Sequence, residues 1–366
     1  MINSKRIIWP DIAKGIGILM VVLYHTFIPA LRNDFSYSFI YSLFATIQMP
    51  LFFFVSGWLF QLKQKKYEQN KLQSIKTKFI HLMIPYFSFS IIYYVAINIA
   101  LRISAIAPLV KMSSGYSNSS FLDSIFQILF CQDSLAKNLW FIYVLFIITV
   151  LHIIFPKIMA HPISLILQFF LQYILMFVSC PDVIVNTFMY MFFFSFARFI
   201  FTYTDKILSA KKYFHILISV IFVCGATFYV LADYNGIFKS NEILHYSKII
   251  IKELVSILGI GFICISSYYI SHLKFFINRA LTYAGKHSFI IYLIHVPILT
   301  PAVVSLLIKT APFLPTFVDC IIGFAIGIII PLLISKFILE KVSILNFLFL
   351  GVTKKSKNKK SPEVLK

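Results

Sequence analysis

The stretch from Asp11 to His25 opens the first long apolar segment of the chain, yet it carries a carboxylate, an ammonium group and an imidazole. Placing an Asp, Lys or Arg at the centre of a bilayer costs about 2.5–3.5 kcal/mol, so an ionisable side chain in a membrane segment is a functional candidate. Asp11 and Lys14 are three residues apart, a helical spacing at which opposite charges pair. The segment therefore predicts an ion pair near one membrane surface and an imidazole deeper in the apolar layer.

Lys14 and His25 are separated by eleven residues, which is about 1100° of helical rotation and about 16 Å along the axis. Both side chains therefore fall on nearly the same helix face. An imidazole that titrates near neutral pH can serve as a general base at this position. The structural alternative is a His25 bonded to a neighbouring helix, with Lys14 extending its ammonium group to the interface.

The composition assigns the chain to the integral membrane proteins. It has 366 residues, of which 60% are hydrophobic and 13% charged. Soluble domains are about 45–50% apolar and about 25% charged. Apolar runs near twenty residues recur along almost the whole length, as transmembrane helices require. The fold class predicted is an all-α polytopic membrane protein in which the first segment is a retained anchor and no separate soluble domain is expected.

Hydrophobic runs and turn residues predict about ten transmembrane helices and divide the chain into a membrane domain, residues 1–340, and a basic tail, residues 341–366. The weakest division is the Cys-Pro-Asp turn before the sixth span. The predicted spans are Ile12 to Leu31, Phe39 to Leu62, Phe79 to Leu101, Leu139 to Phe155, Ile163 to Cys180, Val183 to Tyr203, Tyr213 to Ala232, Ile249 to Ile270, Lys286 to Ile308 and Leu314 to Ile338.

The distribution of Lys and Arg predicts the orientation, because cytoplasmic loops are enriched in these residues. Alternate loops differ about three to one in Lys and Arg, which places both termini in the cytoplasm. The net charge of +20 is thereby explained by topology and by anionic lipid rather than by nucleic acid. The basic side holds Lys5, Arg6, Lys63, Lys65, Lys66, Lys71, Lys76, Lys78, Lys157, Lys206, Lys211, Lys212, Lys274, Arg279 and the lysines of the tail.

The five cysteines show no C-x-x-C or metal-ligand spacing, so no metal site is predicted and at least three of them are expected to act as small apolar filler. In the second span, Pro50 is expected to break the helix hydrogen-bond ladder, and Ser56 with Gly57 forms a small patch where another helix can approach. The outer loop from Arg102 to Asn138 either covers a cleft or is a flexible connector.

Further candidate residues lie near the predicted membrane surfaces. Lys78 and His81 are predicted on one helix face at the cytoplasmic boundary, where their donors suit a phosphate-bearing ligand, although Lys78 is also explained by topology alone. Trp140 belongs to an interfacial aromatic belt. Tyr292 and His295 are three residues apart in the ninth span, and His295 is either functional or a packing residue.

The chain resembles the membrane-bound acyltransferase-3 family, and most of all its fucose 4-O-acetylase-like branch. Lys14 and His25 fit the family's pattern of a basic residue, ten residues and a histidine. The supporting segments run in order from residue 6 to about residue 297. They are R-I-I-W-P-D-I-A-K-G-I-G-I-L-M-V-V-L-Y-H, M-P-L-F-F-F-V-S-G-W-L-F, I-P-Y, L-W-F and Y-L-I-H.

The resemblance implies an O-acyltransferase of the cell membrane that transfers an acetyl group from cytoplasmic acetyl-CoA to a hydroxyl of a cell-envelope polysaccharide or its lipid-linked precursor. It implies catalytic roles for Asp11, Lys14 and His25, with polysaccharide-synthesis proteins as partners. The expected acyl-CoA site includes Lys14, Lys76, Lys78 and His81, and the expected acceptor side includes Trp140, Tyr292 and His295.

The sequence departs from the family pattern at three points. His81 stands where relatives often carry an arginine four residues before the Pro-Tyr pair, and Gln48 stands where relatives often carry a histidine. Only a short basic segment follows the last predicted span, whereas some members have an extra hydrolase-like domain. Two other functions are compatible with the residues: a glycan or lipid transporter or flippase that uses the Asp11, Lys14 and His25 groups as a gate, and a non-catalytic subunit of an envelope-polymer synthesis complex.

Overall fold

The computed structural model describes residues 7–28, 35–103, 107, 120–131, 137–175, 178, 180–295, 300–311 and 313–352. These residues form helices, turns and bends and contain no β-strand. Within this described part of the chain, six helical segments are long and apolar enough to cross a membrane. They are Phe35–Leu62, Lys71–Arg102, Asp182–Leu208, Lys212–Tyr234, Ile243–His272 and Thr316–Leu339. An all-helical chain with several membrane-spanning segments is therefore confirmed.

The helices, numbered in chain order, follow the apolar runs of the sequence. The first nine are α1 Trp9–Phe27, α2 Phe35–Leu62, α3 Gln64–Gln69, α4 Lys71–Lys78, α5 Ile84–Arg102, α6 Phe121–Phe130, α7 Trp140–Ile154, α8 Pro156–Ala160 and α9 Pro162–Ile174. The others are α10 Asp182–Ile200, α11 Thr204–Leu208, α12 Lys212–Tyr234, α13 Glu242–His272, α14 Phe276–Lys286, α15 Ser288–Ile294, α16 Thr300–Thr310, α17 Thr316–Ile334 and α18 Ser343–Leu350. Two π-helical turns, Phe79–Met83 and Ser335–Leu339, precede α5 and follow α17.

The chain divides into two compact units. The first consists of Met1–Leu62, Phe193–Tyr292 and Val303–Ala325. In this unit α1 packs against α2, α13 and α14, and α13 also packs against α2 and α12. Gly57 in α2 meets the main chain of Phe194 so closely that a Cβ has no room, which confirms the small patch predicted there.

The second unit consists of Lys63–Phe192, Leu293–Ala302 and Ile326–Lys366. Here α4 packs against α7, and α18 packs against α5. Tyrosine hydroxyls bind main-chain carbonyls across the unit: Tyr86 donates to Ile128 at 2.7 Å, and Tyr143 donates to Leu129 at 2.9 Å. These bonds satisfy phenol groups that apolar surroundings would otherwise penalise.

The helices bear on two further predictions. Helix α2 runs through Pro50 from Phe35 to Leu62, and because proline has no N–H, one hydrogen bond of the ladder is missing there as predicted while the helix continues. Within the ninth predicted span, Lys286 to Ile308, the structure describes α15, which ends at Ile294, and α16, which begins at Thr300, and residues 296–299 lie outside the described residues.

Two segments predicted as loop or tail contain helices. In the outer loop, α6 begins with a capping box in which the Ser120 hydroxyl accepts from the Asp123 main-chain N–H and the Asp123 carboxylate accepts in return. In the predicted tail, α18 packs against α5, with the rings of Phe89 and Phe349 5.1 Å apart. Helix packing thus extends beyond residue 340, because the apolar run from Ser343 to Leu350 packs against α5 and removes apolar surface from water.

Candidate active site

The ion pair predicted on the first helix is present. The Lys14 Nζ lies 2.9 Å from the Asp11 Oδ1, and the two side chains are 24% and 13% exposed. Asp11 lies in the first turn of α1, where a carboxylate is favoured by the helix dipole. The ammonium group is thereby held near the start of α1 and remains partly open to a ligand.

Helix α14 fixes the segment that carries this pair. The carbonyl of Asp11 lies against Gly285, and Gly15 lies against the carbonyl of Leu281, with no room for a Cβ at either glycine. Close backbone approach through small residues is the usual way in which membrane helices pack tightly. The main chain around the ion pair is therefore held rigidly from a helix about 270 residues further along the chain.

His25 lies in the last turn of the same helix and is partly exposed. The ring of Tyr24 stands edge-on to it, with centroids 5.0 Å apart. Tyr24 in turn stacks on Tyr41 of α2 at 4.2 Å, and the two hydroxyls are hydrogen-bonded at 2.6 Å. This aromatic pair restricts the position of the imidazole. Tyr41 was not predicted, because its position beside Tyr24 depends on how α1 and α2 pack.

The predicted donor-side residues lie in the second unit, on α4 and the π-helical turn after it. Lys76 is exposed, and the half-buried Lys78 places its Nζ 5.4 Å from the ring centroid of Tyr67. Burial raises the pKa of Tyr67, so its hydroxyl stays protonated. His81 lies within the π-helical turn and is half-buried. Lys78 ends α4 and His81 lies in the π-helical turn that follows, so the shared face of these two side chains stays a prediction.

The π-helical turn is braced by the C-terminal end of α18. Gly351 adopts the left-handed conformation, with φ of +63°, as the C-terminal cap of that helix. A Cβ built on Gly351 would lie 2.6 Å from both the Cα of His81 and the carbonyl oxygen of Ile80. Only glycine fits this position, on account of both its conformation and its surroundings. The backbone of His81 is therefore set by a residue near the end of the described chain.

The predicted acceptor-side residues are distributed over both units. Trp140 packs on Tyr190, with ring centroids 5.2 Å apart, in the second unit. Tyr292 is 8% exposed in the first unit, and His295 is 1% exposed in the second. The carbonyl of His295 accepts a hydrogen bond of 2.6 Å from the Thr300 hydroxyl. The first unit thus holds Asp11, Lys14, His25 and Tyr292, and the second holds Lys76, Lys78, His81, Trp140 and His295.

Several buried ionisable residues of the first unit were missed in the sequence, among them Glu253 and Arg198. Glu253 of α13 is 4% exposed, and its Oε2 has no hydrogen-bond partner among the described residues. Arg198 of α10 is also 4% exposed, donates from Nε to Gln61 at 2.9 Å and lies 5.1 Å from the ring centroid of Phe60. Both could have been found in the sequence, because each is a charged residue within an apolar run. The same criterion identified Asp11 as a candidate.

The described residues contain no group of three or more His, Cys, Asp or Glu side chains placed to hold a metal ion. A family model described as an acyltransferase domain matches residues 7–336, which include all the candidate residues named above. No curated protein matches the chain significantly, and neither does any solved structure.

Proposed function

Because the chain belongs to the acyltransferase-3 family of membrane proteins, we propose that it is an O-acetyltransferase that uses cytoplasmic acetyl-CoA. The acceptor proposed is a hydroxyl of a cell-envelope polysaccharide or of its lipid-linked precursor, as in the fucose 4-O-acetylase-like branch. The protein would cross the cell membrane about ten times, with both termini in the cytoplasm. The uneven distribution of lysine and arginine between alternate loops supports this orientation.

The observation that carries the proposal is the ion pair of Asp11 and Lys14 on the helix that also bears His25. A helix held by close backbone contacts at its first turns presents a cation near one end and an imidazole about 16 Å further along. Lys14 would bind a phosphate of coenzyme A, because an ammonium group binds phosphate oxygens through charge-assisted hydrogen bonds. His25 is the general base of the transfer.

In the transfer, the acceptor hydroxyl oxygen forms a bond to the thioester carbonyl carbon while the hydroxyl proton passes to the imidazole of His25. The carbon–sulfur bond then breaks, the acetyl ester is released, and the proton returns to the coenzyme A thiolate. In the second possible route, His25 first receives the acetyl group and then passes it to the hydroxyl. Both routes give the same products and both require an unprotonated imidazole.

The remaining candidates take the roles that the family resemblance implies for them. Lys76, Lys78 and His81 attract and hold the polyanionic donor, since a basic surface raises the local concentration of anions. Trp140, Tyr292 and His295 contact the acceptor. Arg198 is a further candidate residue, because it is an arginine retained in an apolar segment.

The test is release of coenzyme A from acetyl-CoA by the purified protein in liposomes, with mass analysis of envelope glycans from cells that lack or contain it. His25→Ala should lower the rate by at least about 100-fold, as expected for loss of a general base. His245→Ala, which removes an exposed imidazole, is the matched control. Substrate-dependent proton uptake without coenzyme A release would instead indicate a transporter and contradict the proposal.

A further inference from the structure

A groove runs between α12 and α13 in the first unit. Its volume is about 510 Å³, within the range of small-molecule sites. Ile216, Val220 and Val223 form its α12 wall and are 62%, 53% and 54% exposed. Their spacing places these side chains along one face of α12. A groove of this composition in a membrane segment suits a hydrocarbon chain.

The floor of the groove is built by a hydrogen-bonded histidine. His215 is 3% exposed, and its Nε2 lies 2.9 Å from the carbonyl oxygen of Ile207. A carbonyl only accepts, so Nε2 donates to it, and Nδ1 is hydrogen-bonded to the Tyr269 hydroxyl at 2.8 Å. The imidazole thereby ties α12 to α13 and to the end of α11. The walls of the groove are held in place by these two bonds.

A second cavity of about 190 Å³ lies on the inner side of the same helices. It is lined almost entirely by apolar side chains, among them Trp9, Trp58 and Cys264. Ile265 lines both this cavity and the groove, so the two spaces adjoin. An apolar cavity of about 150 Å³ stays free of water and takes up apolar molecules. The inner space is therefore suited to the end of a chain that lies in the groove.

The lysine that lines the groove lies at one of its ends. Lys212, the first residue of α12, lines that end and is exposed. The neighbouring Lys211 does not line it and instead places its Nζ 6.0 Å from the ring centroid of Tyr213. Lysines at the membrane surface attract anionic lipid headgroups. The groove thus combines a cation at its mouth with apolar walls along its length.

We propose that the groove and the adjoining inner cavity bind one hydrocarbon chain of an anionic phospholipid, whose phosphate lies at Lys212. The headgroup end of the chain lies along Ile216 and Val220, and the chain end reaches past Ile265 to Gly261. Lipid binding here does not require acyl transfer, so it is measured separately from the proposed activity.

Gly261 offers a selective way to fill the inner cavity. It lines that cavity, and a Cβ there would lie 3.8 Å from Ile218 Cγ2, an ordinary contact. Gly225 is the matched control, because it is also a helical glycine whose Cβ would lie 3.8 Å from a single side-chain atom, Val255 Cγ2. It lines neither space. Gly261→Leu and Gly225→Leu therefore add the same atoms inside and outside the proposed site.

The experiment uses the full chain in liposomes containing phosphatidylglycerol with a photoreactive diazirine near the end of one acyl chain. We expect cross-links on α12 and α13 near Gly261 and Ile265, reduced several-fold by Gly261→Leu and unchanged by Gly225→Leu. Equal labelling of the parent protein and Gly261→Leu at these positions would overturn the inference. Thermal unfolding of each variant in detergent shows that it is folded.

Recognition of the lipid headgroup is tested with a second matched pair of variants, one at Lys212 and one at Lys211. Lys212→Gln should reduce the same cross-links, whereas Lys211→Gln should leave them unchanged. The corresponding phosphatidylcholine probe, which carries no net charge, should label the parent protein less and should not respond to Lys212→Gln. If both probes label equally and both lysine variants behave like the parent, no anionic lipid is recognised at this groove and the proposal fails.

Discussion

The main-chain carbonyl of Asp11 lies directly against Gly285, so closely that no Cβ fits between the two helices. The contact joins the first turn of α1 to the last turns of α14, and it lies at the residue that holds Lys14. The position of the ion pair is therefore coupled to a helix that carries none of its charges.

Gly285→Ala should disturb this contact. The added Cβ would collide with the Asp11 carbonyl and lie 2.9 Å from the Gly15 nitrogen, so α1 and α14 must separate. We expect a loss of about 1–3 kcal/mol in unfolding free energy, the usual cost of overpacking, together with weaker acetyl-CoA binding. Thermal unfolding and the KM for acetyl-CoA measure the two effects.

Gly225→Ala is the control, since its Cβ would meet one side-chain atom at an ordinary distance of 3.8 Å. This variant should behave like the parent protein in both assays. Parent-like stability and KM in Gly285→Ala would show that the two helices adjust easily and that their contact does not position the pair.

Lys14→Ala and Asp11→Asn should both impair acyl transfer. Lys14→Ala leaves the partly buried Asp11 carboxylate without the Lys14 ammonium group, and Asp11→Asn leaves that ammonium group without its counter-charge, at a cost of about 1–3 kcal/mol. Lys14→Arg should retain more activity because it keeps the positive charge. Initial rates of coenzyme A release from equal amounts of folded protein provide the comparison. If Asp11→Asn has parent-like rates, Asp11 serves the helix start and not the function of Lys14.

Neutralising Lys76 and Lys78 together should raise the KM for acetyl-CoA and leave the acceptor's KM unchanged. The donor is a polyanion, and both lysines precede the π-helical turn that carries His81. Added salt should have the same effect on the parent protein, because charges on an exposed surface are screened beyond about 8–10 Å at ordinary ionic strength. Steady-state kinetics at low and high salt measure both.

The matched control for that double variant replaces Lys65 and Lys66, two exposed lysines of α3. It removes the same charge from a neighbouring helix and should change the donor's KM less. Normal donor binding by the Lys76 and Lys78 variant at low salt would assign those lysines to topology alone and direct attention to Lys14 and Arg198.

The proposed orientation is tested with single cysteines in a variant that lacks the five native ones. A membrane-impermeant maleimide should label Tyr116→Cys in intact cells and should label Asn70→Cys only after the membrane is permeabilised. The positive-inside distribution of lysine and arginine is the physical reason. Labelling at position 70 in intact cells would contradict the proposed orientation. An absence of labelling at position 116 would contradict it as well.

Long apolar runs predicted where long helices lie, whereas six of the described segments, and not ten, are long and apolar enough to cross a membrane. The seventh predicted span, Tyr213 to Ala232, is the helix Lys212–Tyr234, and the fourth, Leu139 to Phe155, is the helix Trp140–Ile154. The shorter helices α6, α14 and α18 were not predicted, because runs of 8 to 11 residues are too short for a search based on bilayer thickness.

The features of the candidate site also divide into those that the sequence predicted and those that it did not. The pairing of Asp11 with Lys14 was predictable because it depends only on positions within one helix. The stacking of Tyr24 on Tyr41, the contact of Asp11 with Gly285 and the burial of Glu253 depend on which helices meet. Such partners are distant in the sequence, and hydrophobic periodicity carries no information on them.

The contact of Gly351 with His81 has a consequence for the order of biosynthesis. His81 leaves the ribosome 270 residues before Gly351 does. At about 5–20 residues per second this interval is roughly 14 to 54 s. During that time the π-helical turn lacks its final neighbour, so a prematurely terminated chain would enter the membrane with this turn unbraced. Synthesis through Gly351 is thus needed before the segment that carries His81 has this neighbour in place.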